Sequence, residues 1–144
     1  MPTYAFTTAK SLTSEQRERI VESVTSIHAV EATAPRYFVQ VIFYAVDSGS
    51  IFIGGKPASA NHIWVNALIR SGRTKKQNAN ILQRIMQETA GILDVSTENI
   101  WVYISGIPGE SVAEFGAILP QPGGEEQWLA TLPGALREKL SMSS

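Results

Sequence analysis

The chain has 144 residues, 44% of them hydrophobic and 17% charged, enough apolar content to bury one core and too much for a long disordered chain. Its 12 Lys and Arg nearly balance 13 Asp and Glu, for a net charge of −1 with the basic residues dispersed, so neither nucleic acid nor a membrane is expected as a partner. The lack of cysteine excludes a disulfide framework, a thiolate metal site and a cysteine nucleophile, while His28 and His62 lie too far apart in sequence to suggest zinc.

The start, MPTYAFTTAK, has no basic, apolar leader pattern, and a cytoplasmic, unanchored protein is expected. Thr3 to Thr7 alternates as a strand, and Ser14 to about Val30 has helical period with Ile20, Val24 and Ile27 on one stripe. Tyr37 to Val46 is β-rich, with Val39, Val41 and Phe43 on one face and Phe38, Ile42 and Tyr44 on the other. Such a strand is covered on both sides. Ile51 to Ile53 reads as a short strand entering a glycine-rich loop. A strand at His62 to Ile69, a helix at Lys75 to Leu93 and a strand at Ile100 to Ile104 then repeat the first pattern. Beyond about residue 106 the prolines and glycines predict a loop-rich tail, with short helical stretches at Ser111 to Phe115 and Glu125 to Leu132.

Both helices open with a capping box, Thr13 with Gln16 and Thr74 with Gln77, offset by 61 residues. The chain therefore reads as a single α/β domain spanning 1–144, made of two duplicated β-α-β units at about 2–46 and 62–105. Two parallel pairs would join in one four-stranded sheet with both helices on one face, leaving the other face for another subunit.

Familiar catalytic motifs are missing. Gly49 to Lys56 misses the phosphate-loop spacing by one residue, and neither a GxSxG elbow nor an HExxH helix occurs. Pro2 is different, because removal of Met1 would leave a rigid secondary amine that titrates close enough to neutrality to act as acid or base. Arg70 and Arg73 precede the capped start of the second helix, where two cations call for an anion between them, such as a small carboxylate. Their alternatives are solvated loop arginines or partners for a neighbouring subunit's glutamates. His28 extends the apolar stripe of the first helix near its end, where the helix dipole favours the protonated ring. Tyr103 shares a strand face with Trp101, and Glu114 lies in the tail, where a partly buried carboxylate could orient water or hold an amine protonated.

Pro2, the duplicated unit and the segment Ile69-Arg70-Ser71-Gly72-Arg73-Thr74 resemble the tautomerase superfamily. So do Asn99-Ile100-Trp101-Val102-Tyr103, Glu114-Phe115-Gly116 and Leu119-Pro120-Gln121-Pro122-Gly123, and the closer resemblance is to the cis-3-chloroacrylic acid dehalogenase family. That resemblance implies a homotrimer of the tautomerase fold without metal or other cofactor. It implies Pro2 as catalytic acid, His28, Arg70 and Arg73 as the groups holding a substrate carboxylate, and Tyr103 with Glu114 activating water. In the family's pattern a tyrosine follows the glutamate and an arginine stands three positions after it, whereas this chain has Phe115 and Ala117.

The expected activity is addition of water to short unsaturated carboxylates, by hydrolytic dehalogenation or hydration, with broad substrate range. A keto-enol tautomerase of phenylpyruvate-like acids, a decarboxylase of malonate semialdehyde and a non-catalytic trimeric binding or signalling protein are the alternatives. The partner in the enzymatic readings is a small carboxylate.

Overall fold

A computed structural model describes residues 1–144. The duplicated pattern folds as two parallel strand pairs. β1 (Thr3–Thr8) is followed by helix α1 (Ser14–Glu31) and by β2 (Gln40–Ala45), which lies parallel to β1. After a small hairpin of β3 (Phe52–Ile53) and β4 (Lys56–Pro57), β5 (Ile63–Arg70), helix α2 (Lys75–Leu93) and β6 (Ile100–Ile107) repeat the unit, with β6 parallel to β5. The halves join through β1 and β5, which are antiparallel, so the sheet order is β2-β1-β5-β6.

Both helices start where the capping boxes place them. The Thr13 and Thr74 hydroxyls each accept the amide of the glutamine three residues on, at 3.1 Å, and each glutamine side chain accepts the threonine amide at 2.9 Å. Such a cap contributes about 1 kcal/mol. α2 stops at Asp94, which takes a left-handed conformation and returns its amide to the Ala90 and Gly91 carbonyls.

The alternating residues of β1 and β5 explain why the helices pack on one face. Tyr4, Phe6, Ile63 and Val65 point to the same side and are fully buried against Ile20 and Ile81 of the helices. Each large aliphatic side chain buried there contributes about 1.5–3 kcal/mol, and truncating Ile81 to alanine would cost about 2–5 kcal/mol.

The other face is covered only in part. β7 (Ala113–Glu114) and β8 (Ala117–Ile118) form a hairpin, and α3 (Glu125–Thr131) and α4 (Gly134–Met142) fold back beyond it. They build a second core of Met1, Phe38, Leu119, Trp128, Leu132 and Leu140, against which Leu68 and Ile107 of the sheet pack. Gly109 makes this closure possible, because a Cβ there would stand 2.7 Å from the Pro120 carbonyl oxygen. Elsewhere the face is bare: Tyr44, Trp101 and Tyr103 are exposed. No helix is long and apolar enough to cross a membrane.

Three expectations change. The segment from Tyr37 begins as a 3₁₀ turn at Arg36–Phe38, set by Pro35, and pairs only from Gln40; this turns Phe38 into the second core, and the strand is an edge strand with Tyr44 uncovered. Ser111 to Phe115 is no helix: it leads into the β7–β8 hairpin, whose two-residue turn needs the left-handed conformations of Phe115 and Gly116. A final helix, α4, lies beyond the expected ones.

Candidate active site

The antiparallel register of β1 and β5 pairs Thr3 with Leu68, which carries the chain start toward Arg70, the last residue of β5. Pro2 is buried there, its carbonyl accepting the Gln40 amide at 2.9 Å. The amine of the chain belongs to Met1 and lies 2.5 Å from Glu114 Oε2. Glu114 owes its place to the hairpin, since the strained left-handed Phe115 that follows it is held by aromatic contacts with Tyr37, Phe38 and Trp128. Glu114 also lines a cleft of about 390 Å³ with Tyr37, Phe38, Val39, Gln40 and Phe115, a volume within the range of small-molecule sites.

Two arginines and a histidine lie at the same end of the sheet, where Arg70 and Arg73 line a separate cleft of about 230 Å³ with Ser71, Gly72 and Asn78. Arg70 is 1% exposed, donating from Nη1 to the Pro120 carbonyl at 2.7 Å and from Nη2 to Glu125; it is thus the last residue of a strand paired within its own chain, neither a solvated loop cation nor free for a neighbour's glutamate. Arg73 donates from Nη1 to the Ala32 carbonyl at 2.6 Å, the cap of α1, where the helix dipole welcomes a cation. His28, fully buried in the last turn of α1, has Nδ1 2.7 Å from the Tyr4 hydroxyl.

What these groups lack defines the chemistry. Arg70 Nε, Arg73 Nε and Nη2, and His28 Nε2 are all buried without a hydrogen-bond partner. Orphaned buried donors are costly, and a carboxylate is the ligand that would satisfy several guanidinium N–H groups together.

The electrostatics correct one expectation. His28 is pulled down to about 3, first by burial and then by the positive charges of Arg73, the amine and Arg70, so the ring is neutral despite its place at a helix end. The amine is lowered too: burial dominates, Arg70 and Arg73 add to it, and Glu114 opposes them. Arg73 is lowered by burial and by Arg70.

Pro2, His28, Arg70, Arg73 and Glu114 therefore converge on one end of the sheet. Tyr103 does not join them in its own chain. It stands on the bare face, 52% exposed, 5.8 Å from the Trp64 ring, and lines a different cleft with Thr7, Phe52 and Trp101. His62 packs edge-on against Trp101 at 5.2 Å, away from this cluster and on the side of the cleft that Tyr103 lines.

Tyr4 and Glu125, which no motif singles out, bind two residues of the cluster, His28 and Arg70. Tyr4 was hidden as an ordinary inward position of β1. Glu125 could have been noticed as an acidic residue in the first turn of a helix just after Pro120-Gln121-Pro122-Gly123.

Residues 1–131 match the family model Tautomerase_3, described as "Putative oxalocrotonate tautomerase enzyme". Among solved structures, N1, a member of the cis-3-chloroacrylic acid dehalogenase family, is 43% identical, covering 96% of this chain and 98% of its own, with a TM-score of 0.94. Native Ps01740 is 30% identical over 78% of this chain and 99% of its own, with a TM-score of 0.73. An asymmetric trimer of fused 4-OT, R7, shares the fold at 23% identity and a TM-score of 0.73, covering 81% of this chain and 94% of its own. No curated protein matches the chain. With its four-stranded β-α-β sheet and a match along nearly its whole length, the chain belongs to the tautomerase superfamily, within the cis-3-chloroacrylic acid dehalogenase family.

Proposed function

We propose that the chain, once processed to begin at Pro2, is an enzyme that adds water to short unsaturated carboxylates, with hydrolytic dehalogenation of 3-chloroacrylate-like acids as the form the family relationship favours. The observation that carries this reading is the set of unpartnered buried nitrogens on Arg70, Arg73 and His28 beside a Glu114 that pairs with the amine of Met1, next to the position a freed Pro2 amine would take. The arginines and neutral His28 bind the substrate carboxylate and draw electron density toward it, which makes C3 electrophilic. Glu114 accepts a proton as water attacks C3, and the protonated Pro2 amine delivers a proton to C2. In a chlorinated substrate the C3 adduct then loses chloride and a proton, leaving malonate semialdehyde.

Tyr103 can share in activating water only from another copy, because its own chain holds it on the bare face. Trimers among proteins of this fold, together with exposed Tyr44, Trp101 and Tyr103, support a homotrimer in which one subunit supplies Tyr103 to the next.

A second reading is favoured by the surroundings of the terminus: burial and the charges of Arg70 and Arg73 lower the Met1 amine there, and a Pro2 amine freed into the same surroundings would be pushed toward its neutral form. A neutral Pro2 is a base, which moves a proton between oxygen and carbon of an enol such as that of phenylpyruvate. Assays of the processed protein against cis- and trans-3-chloroacrylate, propiolate and phenylpyruvate enol, each with a Pro2→Ala control, test both readings. Turnover of the first three by wild type alone supports hydration, turnover of the enol alone supports tautomerisation, and activity that survives in Pro2→Ala removes Pro2 from either mechanism.

A further inference from the structure

Glu125 is a second carboxylate at the site, and neither mechanism uses it. It begins α3 and is 14% exposed; Oε1 accepts Nη2 of Arg70 and Oε2 accepts the Gly123 amide at 2.9 Å. Burial works to raise its pKa and is outweighed by hydrogen bonds from its own amide, Arg70 and Gly123, so it stays ionised. Its charge also reaches Arg73 and Tyr37.

The pairing makes the two arginines unequal. Each Nη of Arg70 already donates one bond, to the Pro120 carbonyl and to the Glu125 carboxylate, and its guanidinium is further fixed over the Phe38 ring at 5.8 Å. Nε is its one nitrogen with no partner at all, and its charge is already paired with that of Glu125. Arg73, held by a neutral carbonyl alone, keeps both Nε and Nη2 free and an uncompensated charge.

The sum of charges follows. With the amine protonated, the positive charges are the amine, Arg70 and Arg73, the negative ones Glu114 and Glu125, and His28 contributes none, so the site carries one net positive charge. One carboxylate neutralises it. A second would enter a poorly solvated site already balanced, near the Glu125 charge and with the charge of Arg70 already paired.

Resting on the carboxylate-binding reading above, we propose that Glu125 is a specificity-determining residue that restricts the site to monocarboxylates by occupying Arg70 and setting the site's net charge. Like charges excluded in this way give discrimination by repulsion rather than by added contacts. Neutralising Glu125 leaves an acceptor for Arg70 and frees one unit of positive charge, which favours a dianion.

Binding can be read without turnover, by calorimetric titration of the processed protein with succinate and with monomethyl succinate, which has a similar carbon frame but one charge. Wild type should bind the monoester at least about tenfold more tightly, an effect of roughly 1.4 kcal/mol. Glu125→Gln should narrow that ratio about tenfold, and Glu125→Asp, which keeps the charge, should preserve it even if both affinities fall. Equal binding of the two ligands by wild type overturns the proposal without any variant, as does an unchanged ratio in Glu125→Gln or equal narrowing in Glu125→Asp. If wild type binds neither ligand, the carboxylate-binding reading falls and takes this proposal with it; if it binds both equally, only the role of Glu125 is lost.

Discussion

Tyr4 and His28 are joined by a 2.7 Å hydrogen bond that determines how the imidazole faces the cluster. Burial raises the Tyr4 phenol well above its ordinary range, so it keeps its proton, and His28 is neutral. A neutral imidazole has one donor and one acceptor nitrogen. The buried Tyr4 hydroxyl has no acceptor in the chain other than Nδ1, so it donates there, and the remaining imidazole proton lies on Nε2, the atom that has no partner within the chain. The ring is thereby prepared as a neutral donor to an anion.

Tyr4→Phe should therefore weaken the protein twice. The buried Nδ1 loses its partner, at a cost of about 1–3 kcal/mol in unfolding free energy, and the ring is no longer held to one tautomer. Chemical denaturation gives the first effect, and ¹⁵N shifts of the imidazole give the second. Unchanged stability together with an unchanged tautomer would refute the arrangement.

The depressed His28 has a consequence for acid stability. Its ordinary value is 6.5 and its folded value about 3, so between those limits the unfolded state binds the proton and the folded state does not. Stability is then greatest above pH 6.5 and declines as the pH falls, by at most about 1.4 kcal/mol per unit. The window is pH 6.5 to 5, before carboxylates such as Glu22, Glu31 and Glu125, which are also lowered, begin to contribute; His62, lowered by burial too, adds a slope of the same sign. Urea unfolding across that window should show the combined slope, His28→Gln should reduce it, and a slope unchanged by His28→Gln would refute the depressed His28.

Retention of Met1 should abolish most activity. The extra residue makes the Pro2 nitrogen an amide, and its side chain fills the space bounded by the second core. A preparation shown by intact mass to begin at Met1 should be slower by about 10²–10⁴, the contribution of a positioned proton-transfer group. Equal rates for the two forms would exclude Pro2.

Glu114→Gln separates the two reactions. The amide cannot take a proton from water, so hydration should be lost, whereas enol tautomerisation, which depends on Pro2 and the carboxylate clamp, should fall less. Arg73→Ala should reduce both by about tenfold or more in kcat/KM, since it removes charge-assisted bonds of roughly 1.5–3 kcal/mol each. Equal loss of both activities in Glu114→Gln would mean that the carboxylate tunes the amine instead.

Assembly is testable through mixing. Sedimentation at micromolar concentration should show little monomer. Pro2→Ala and Tyr103→Phe chains, each impaired alone, should regain activity when unfolded and refolded together, because some sites then combine an intact Pro2 with an intact Tyr103 from another chain. No recovery in verified mixed oligomers would restrict Tyr103 to a packing role.

The repeated β-α-β pattern was legible because capping boxes and 3.6-residue periodicity are local signals, and Lys75 to Leu93 matches the observed α2 end for end. The tail was read less well for a physical reason. Its hairpin depends on Phe115 adopting a conformation unusual for a bulky residue, which only the surrounding Tyr37, Phe38 and Trp128 make tolerable, and such support is invisible to local propensity. The same holds for His28, whose charge state follows the local dipole in sequence but follows burial and two distant arginines in the fold. Pro2, Arg70, Arg73 and Glu114 could be singled out by type and motif; that Tyr103 stands apart from them depends on which face of β6 it occupies relative to the tail.

The antiparallel junction of β1 with β5 makes the sheet nearly symmetric, yet its two ends are chemically unlike. At one end the register brings the chain terminus beside Arg70; at the other, Thr8 pairs with Ile63 in mid-chain. Aligning the two capping boxes puts Ala9 and Leu12 where the second half has Arg70 and Arg73. Duplication has thus doubled the scaffold without doubling the amine or the guanidinium pair, and a reagent directed at the terminal amine would titrate one equivalent per polypeptide rather than one per repeat.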